Sequence, residues 1–279
     1  MADHLLQYGD TSVRRAVPLA LGLCHVSDPN YGIVDVLSRL SHDANAETVS
    51  GIASAASSIV LAASLQPPRR SGASCRPHAS VPPLPTLQSQ CAIFALGLVS
   101  AGTNNSRVAA MLRTLATFYR SEAAHLFVVR IAQGMLHMGK GLLTISPFHS
   151  DRMLLSPVAL AGVISATLGF LDVRTMVHGK FHFLLYSLAA SMNPRWVSTV
   201  SEVGAELKVE VRVGTAVETV GQAGRPKTIT GFQTHTTPVL MGVRDRAELA
   251  DDKYLPLTNV VEGVVVLRPN PAASRGTKK

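Results

Sequence analysis

Two stretches of the chain repeat one hydrophobic pattern. Val17 to Asn30 reads VPLALGLCHVSDPN and Ala92 to Asn105 reads AIFALGLVSAGTNN, so the shared ALGL recurs 75 residues apart. At the same offset Asn30 meets Asn105, Ile33 meets Val108, Leu37 meets Leu112 and Leu40 meets Leu115. An apolar helix, a polar turn and a second helix with a stripe at helical spacing account for this agreement, which predicts stacked helical hairpins. Ser106 to Tyr119 is the clearest second helix, with Asn104 or Asn105 as its N-cap. Ile131 to Gly141, Ala159 to Gly169 and Leu184 to Met192 continue the inner layer. Their small residues, Ala132, Gly134 and Gly139 among them, are expected to allow close helix packing.

After Pro194 the period changes. Leu207, Val209, Val211 and Val213 alternate with polar residues as a half-buried strand does. Gly221 to Lys227 predicts a turn, followed by strands over Thr228 to Phe232, Thr236 to Met241 and Val260 to Leu267. The expected fold is mainly α, helical-hairpin repeats forming part of a toroid or solenoid, followed by a small β-rich module at 200–269 and a flexible tail at 270–279.

Residues 51–90 break the repeat. They hold six prolines and eight serines but no Asp, Glu or Lys, and prolines such as Pro82, Pro83 and Pro85 do not fit inside helices. Removing these 40 residues from the 75-residue offset leaves 35, a helical-repeat length. The division is therefore repeats at 1–50, a Pro/Ser/Ala-rich insertion at 51–90 that loops out or is aberrant, and repeats again at 91–199. Gly51 to Leu65 is Ala-rich enough to offer a helix instead.

Composition narrows the function classes. Hydrophobic residues make up 47% and charged residues 16%, too apolar for a disordered chain and consistent with apolar surface kept for a partner. The net charge of +8 is spread along the chain without a basic cluster interleaved with aromatics, which argues against nucleic acid. Cys24, Cys75 and Cys91 form neither a disulfide frame nor a zinc pattern. No signal-peptide pattern opens the chain, and the apolar run from Leu154 to Leu171 is broken by Ser156 and Pro157, so no membrane span is expected.

Four motifs resemble chemistry. His149, Ser150 and Asp151 hold the residue types of a hydrolytic triad, yet neighbours in sequence cannot orient one another as a triad; a capped turn is the expectation. His178 and His182 have i,i+4 spacing but no third ligand, and His25, His42, His125 and His137 show no ligand order. Gly134 to Gly141, GMLHMGKG, departs from the phosphate-cradling motif at Leu142. Gly221 to Pro238 is either a polar binding loop or, as expected, a turn and strand held by hydroxyls. No catalytic, cofactor or metal residue is assigned.

Longer strings carry a resemblance: ALGLVSAGTNN at 95–105, RVAAMLR at 107–113, VRIAQGMLHMGKG at 129–141, SPFHSDR at 146–152, FLDVR at 170–174, VGQAGRPKTITGFQTHTTPVL at 220–240, RAEL at 246–249 and EGVVVLRPNP at 262–271. The chain resembles the proteasome/cyclosome repeat family, specifically the last part of its non-ATPase scaffold subunits of the 26S regulatory particle base. The resemblance covers residues 1–50 and 91–271 and leaves 51–90 aside. It implies a non-catalytic scaffold in ubiquitin-dependent protein degradation, in cytoplasm and nucleus, with base ATPase and non-ATPase subunits as partners. Ubiquitin and shuttle-factor receptor surfaces belong to earlier repeats in that family, so no receptor residue is carried over. The alternative is a detached protein-interaction module or a nonfunctional truncated product.

Overall fold

The computed structural model describes residues 2–42, 84–220 and 227–271. Helices come first: α1 (Ala2–Tyr8), α2 (Thr11–Cys24), α3 (Tyr31–Leu40), α4 (Leu84–Val99), α5 (Ser106–Phe118) and α6 (Ala123–Leu136). A short strand β1 (Leu143–Ile145) precedes α7 (Pro157–Gly169) and a 3₁₀ segment, His182–Ser191. The remaining strands are β2 (Met192–Pro194), β3 (Trp196–Ser201), β4 (Glu210–Val220), β5 (Lys227–Thr236), β6 (Val239–Leu240), β7 (Asp245–Leu249), β8 (Tyr254–Pro256) and β9 (Gly263–Pro269). Helical repeats followed by a strand-rich region is the predicted architecture.

The two hairpins related by the 75-residue offset have the same start signal. Asn30 accepts from the main-chain N–H of Gly32 at the head of α3, and Asn105 accepts from those of Arg107 and Val108 at the head of α5. Asn105, not Asn104, is thus the cap. Their inner helices α2 and α4 are direct neighbours: a methyl built on Gly22 would lie 2.9 Å from the Ala95 Cβ. The next contact repeats the device, since a methyl on Gly97 would lie 2.8 Å from the Ala132 Cα of α6.

Helix α4 is apolar on every side because it has neighbours on every side. Residues 91–99 are buried throughout. Phe94 stacks on Phe170 with ring centroids 3.8 Å apart, and the Cys91 thiol donates to the Phe170 carbonyl at 3.2 Å. Burial pushes that thiol up to about 12, so it is an inert packing group at neutral pH.

Several expectations need correction. Helix α4 starts at Leu84 and not near Cys91, so residues 84–90, placed in the insertion, belong to the stack. Pro85 is its second residue, where the missing N–H would have had no helical acceptor. The rest of the stretch, with the alternative helix at Gly51 to Leu65, lies outside the described residues, as do 221–226 of the predicted turn and 272–279 of the tail. Gly134 meets no atom within 4 Å, so close packing does not explain it. Leu184 to Ser191 is 3₁₀, and Met192 has already entered β2.

The strands form three sheets. β1 pairs with β2; β6, β3, β9 and β8 form a four-stranded sheet; β5, β4 and β7 form a three-stranded one. β3 runs parallel to β9 and antiparallel to β6, so the chain must travel through β4 to β8 before closing its own sheet. Val209, Val211 and Val213 are buried and Leu207 packs against them, as the alternation requires. The predicted strand over Thr236 to Met241 is reduced to Val239–Leu240, and the last strand runs from Gly263 to Pro269.

One substitution at two glycines tests the packing. Gly97→Ala is expected to cost about 1–3 kcal/mol, because the helices must separate. Gly134→Ala is expected to stabilise by about 0.5–1 kcal/mol, since its site is open and mid-helix. Urea unfolding of both variants measures the contrast; equal effects would refute the packing assignment.

Candidate functional site

The helical stack and the strands meet where α6 ends, and the buried Ser27 and Thr144 lie at this junction. Gly102 follows α4 at φ +68, and a methyl there would overlap the Leu143 carbonyl. That approach lets β1 lie across the stack. Ser27, buried in the α2–α3 turn, fixes it from the other side: its N–H donates to Leu98 O at 2.9 Å and its hydroxyl accepts from the Ile145 N–H at 3.1 Å.

Arg195 ties three segments together. Its main-chain N–H donates to Leu142 O at 2.8 Å, and its carbonyl accepts from the Met241 N–H at 2.8 Å. In its side chain, Nη1 donates to Gly102 O at 3.1 Å and Nε donates to Met241 O at 3.2 Å. Burial lowers its pKa, with Asp245 opposing, yet a guanidinium remains charged. A second arginine fastens the 146–155 connection to the strands: Arg152 Nη2 lies 2.9 Å from Glu262 Oε1, with side chains 8% and 9% exposed. Burial raises the Glu262 carboxyl above the usual range, and Arg152 and Arg246 only partly offset this.

The sequence-marked residues are structural in this setting. Asp151 Oδ1 accepts from the N–H groups of Met153 and Leu154, which lowers its pKa, while α7 is capped by Ser156 instead. His149, Ser150 and Asp151 thus make a capped turn. His178 stands over Phe127, with burial lowering its pKa, and His182 Nδ1 lies 3.3 Å from Gly179 O; the two do not share an α-helical face. Among the described residues, no group of three His, Cys, Asp or Glu could hold a metal ion. In GMLHMGKG the N–H groups of Lys140 and Leu142 are spent on His137 O and Gly139 O, and Lys140 O accepts from Asn104 Nδ2, so no N–H cradle forms. Thr237, in the bend after β5, accepts from the Val209 N–H and contacts the Thr199 hydroxyl, so these hydroxyl contacts hold the chain just past the strand. No described helix is long and apolar enough to cross a membrane.

One constellation escaped the sequence reading. Ser89 Oγ lies 2.8 Å from His125 Nε2, and His125 Nδ1 lies 2.8 Å from Glu122 Oε2, the connectivity of a hydrolytic triad. Its setting denies that role: Ser89 is 1% exposed inside α4 and His125 3% exposed, so neither can meet a substrate. The imidazole stacks on Tyr119 at 4.3 Å, and the Tyr119 hydroxyl donates to Ser41 O at 2.7 Å. Polar groups sealed in the core thus satisfy one another. The 84–90 assignment hid Ser89 from any such pairing.

The Arg152–Glu262 contact makes a measurable prediction. Arg152→Ala leaves a buried carboxylate unpaired and is expected to cost about 3–5 kcal/mol. Glu262→Gln imitates the protonated form that burial favours and should cost less. Because the folded carboxyl holds its proton more tightly than the unfolded one, wild-type stability should fall as pH rises from the usual glutamate range through the raised value, then level off. Unfolding curves across that window should show this slope in wild type and not in Glu262→Gln.

Comparison with known proteins assigns the chain. Residues 92–123 match the family described as proteasome/cyclosome repeat, and residues 220–272 match 26S proteasome non-ATPase regulatory subunit RPN1 C-terminal. The chain is 48% identical over 269 residues to 26S proteasome non-ATPase regulatory subunit 2 homolog A of Arabidopsis thaliana, covering 96% of this chain and 26% of that protein. It is 47% identical over 274 residues to 26S proteasome non-ATPase regulatory subunit 2 of Dictyostelium discoideum, covering 98% and 26%. With 26S proteasome regulatory subunit rpn1 of Schizosaccharomyces pombe the figures are 43% over 268 residues, 96% and 26%. The chain spans about a quarter of the length of these curated relatives. Through its repeat and its C-terminal strands, the chain belongs to the proteasome/cyclosome-repeat proteins, as the C-terminal region of a protein homologous to the proteasome regulatory subunits.

Proposed function

We propose that the chain serves as a non-catalytic scaffold in the regulatory-particle base of the 26S proteasome, in ubiquitin-dependent protein degradation. The observation that supports this reading is similarity over 96% of the chain to a protein named as a non-ATPase regulatory subunit of the 26S proteasome. Stacked hairpins suit the role because they offer extended surface without a reaction pocket. Helix α7 and the segment after it expose Leu168, Phe181, Phe183 and Tyr186, apolar side chains of the kind that protein contacts cover. Its partners in this reading are base ATPase and non-ATPase subunits, and its location is the cytoplasm and nucleus. Ubiquitin and shuttle-factor binding is assigned to no residue of this chain.

A second reading is a detached protein-interaction module, whose exposed apolar side chains on α7 and the segment after it would meet partners outside the proteasome. Affinity purification of the tagged full chain from its native cells, with mass spectrometry, separates the two. Recovery of base ATPase and non-ATPase subunits is the expected result. A soluble, well-expressed bait that recovers none of them would overturn the scaffold role, and tagged chain outside cytoplasm and nucleus would overturn the location.

A further inference from the structure

A cavity of about 550 Å³ opens at the junction, between the end of α2, the 144–155 connection and the 241–244 turn. Its size falls within the roughly 300–1,000 Å³ of ligand clefts. Val26, Phe148, Leu160 and Met241 supply an apolar wall, and Arg152, Arg195 and Arg244 also line it; no described lining residue is Asp or Glu.

The arginines differ in how far their charge is spent. Arg244 is exposed and only loosely paired with Asp28, at 3.8 Å. Arg195 uses Nε and Nη1 on two carbonyl oxygens, and Asp245 acts on it as a nearby charge. Arg152 is 8% exposed; its Nη2 lies in ion-pair contact with Glu262 Oε1, but neither that oxygen nor the buried Arg152 Nη1 has a hydrogen-bond partner. A buried donor left unpaired is costly, and a guanidinium recovers that cost best from a carboxylate.

From these observations we infer that the cavity is a docking site for an extended segment of a partner protein, carrying an acidic side chain flanked by apolar ones. The carboxylate lies on the Arg152 and Arg195 side and the apolar neighbours lie against Phe148, Leu160 and Met241. Charge complementarity selects this occupant: Arg152, Arg195 and Arg244 line the cavity with apolar surface around them, whereas the carboxylates that act on them, Glu262, Asp245 and Asp28, are not among its lining residues. The inference does not depend on entry into the proteasome, so the two can fail separately.

Cys24 lines the same cavity and is an exposed free thiol, which makes it a reporter. The full chain is treated with iodoacetamide and alkylation is followed by peptide mass spectrometry, which separates Cys24 from Cys75; buried Cys91 serves as an unreactive control. The probe is a library of N-acetylated tetrapeptide amides with one Asp or Glu among Phe, Leu, Met and Val. With peptide at about nine times its dissociation constant a tenth of the sites stay open, so Cys24 alkylation is expected to slow about tenfold. The matched Asn/Gln library should give no protection. Val243→Trp, which fills the cavity from its turn, should abolish protection with an unchanged melting temperature. The proposal is overturned if the folded chain is unprotected, if the amide library protects equally, if hexanoate alone does, or if Val243→Trp remains protected.

Discussion

The burial of α4 is the constraint on which the rest of the structure depends. A helix with no solvent-facing side cannot be stabilised by one amphipathic stripe; every neighbour must come close enough to cover it. Gly22 and Gly97 make this possible by removing side chains where α2 meets Ala95 and where α4 meets Ala132. With about 1.5–3 kcal/mol available from each fully buried large apolar side chain, residues such as Ile93, Phe94, Leu96 and Leu98 form the main store of stabilisation in the helical part. Phe170 then extends that core to the turn after α7, so the last hairpin is anchored on the same helix as the first.

The junction follows from this packing by necessity of hydrogen bonding. Ends of buried helices leave carbonyl groups that need donors: Leu98 O takes the Ser27 N–H from the α2–α3 turn, and Met135 O and Leu136 O take the Gly102 and Asn104 N–H groups from the α4–α5 turn. Arg195 supplies one to Gly102 O while holding Met241 O, so one side chain joins the end of the α4 hairpin to the edge of the β6–β3–β9–β8 sheet. Arg152 and Glu262 add a second fastening between sequence-distant segments. Because burial outweighs pairing at Glu262, this contact specifies which surfaces meet more than it adds to stability.

What the sequence disclosed follows the range of each signal. The hairpin repeat was legible because helix periodicity and Asn caps are local: Asn30 and Asn105 occupy equivalent caps, and Leu37 and Leu112 are both fully buried. The β4 alternation was legible for the same reason. β3 was not, since WVSTVS gains its place through pairing with Val239–Leu240 on one side and the distant Gly263 to Leu267 on the other, partnerships no local pattern announces. Compositional reading also erred at 84–90, where proline content was counted without its position; at the first turn of a helix, Pro85 costs nothing that the middle would lose. Of the candidate cavity, the arginines were visible in the sequence, but their convergence was not.

The Ser89–His125–Glu122 chain shows why residue types alone cannot assign function. A serine, an imidazole and a carboxylate at hydrogen-bonding distance are what a hydrolase needs, yet a nucleophile must also face a space where a carbonyl can sit, with donors for the developing charge. Ser89 sits within an α-helix, where interior N–H groups are committed to carbonyl groups one turn earlier, and it is sealed from solvent. Burial makes the serine and the imidazole useful in another way: each satisfies the other, the half-exposed Glu122 carboxylate holds the second ring nitrogen, and together with the stacked Tyr119 they join α4 to the turn between α5 and α6. The chemistry of the cluster is that of a fastener because access, not composition, decides what a hydroxyl beside an imidazole can do.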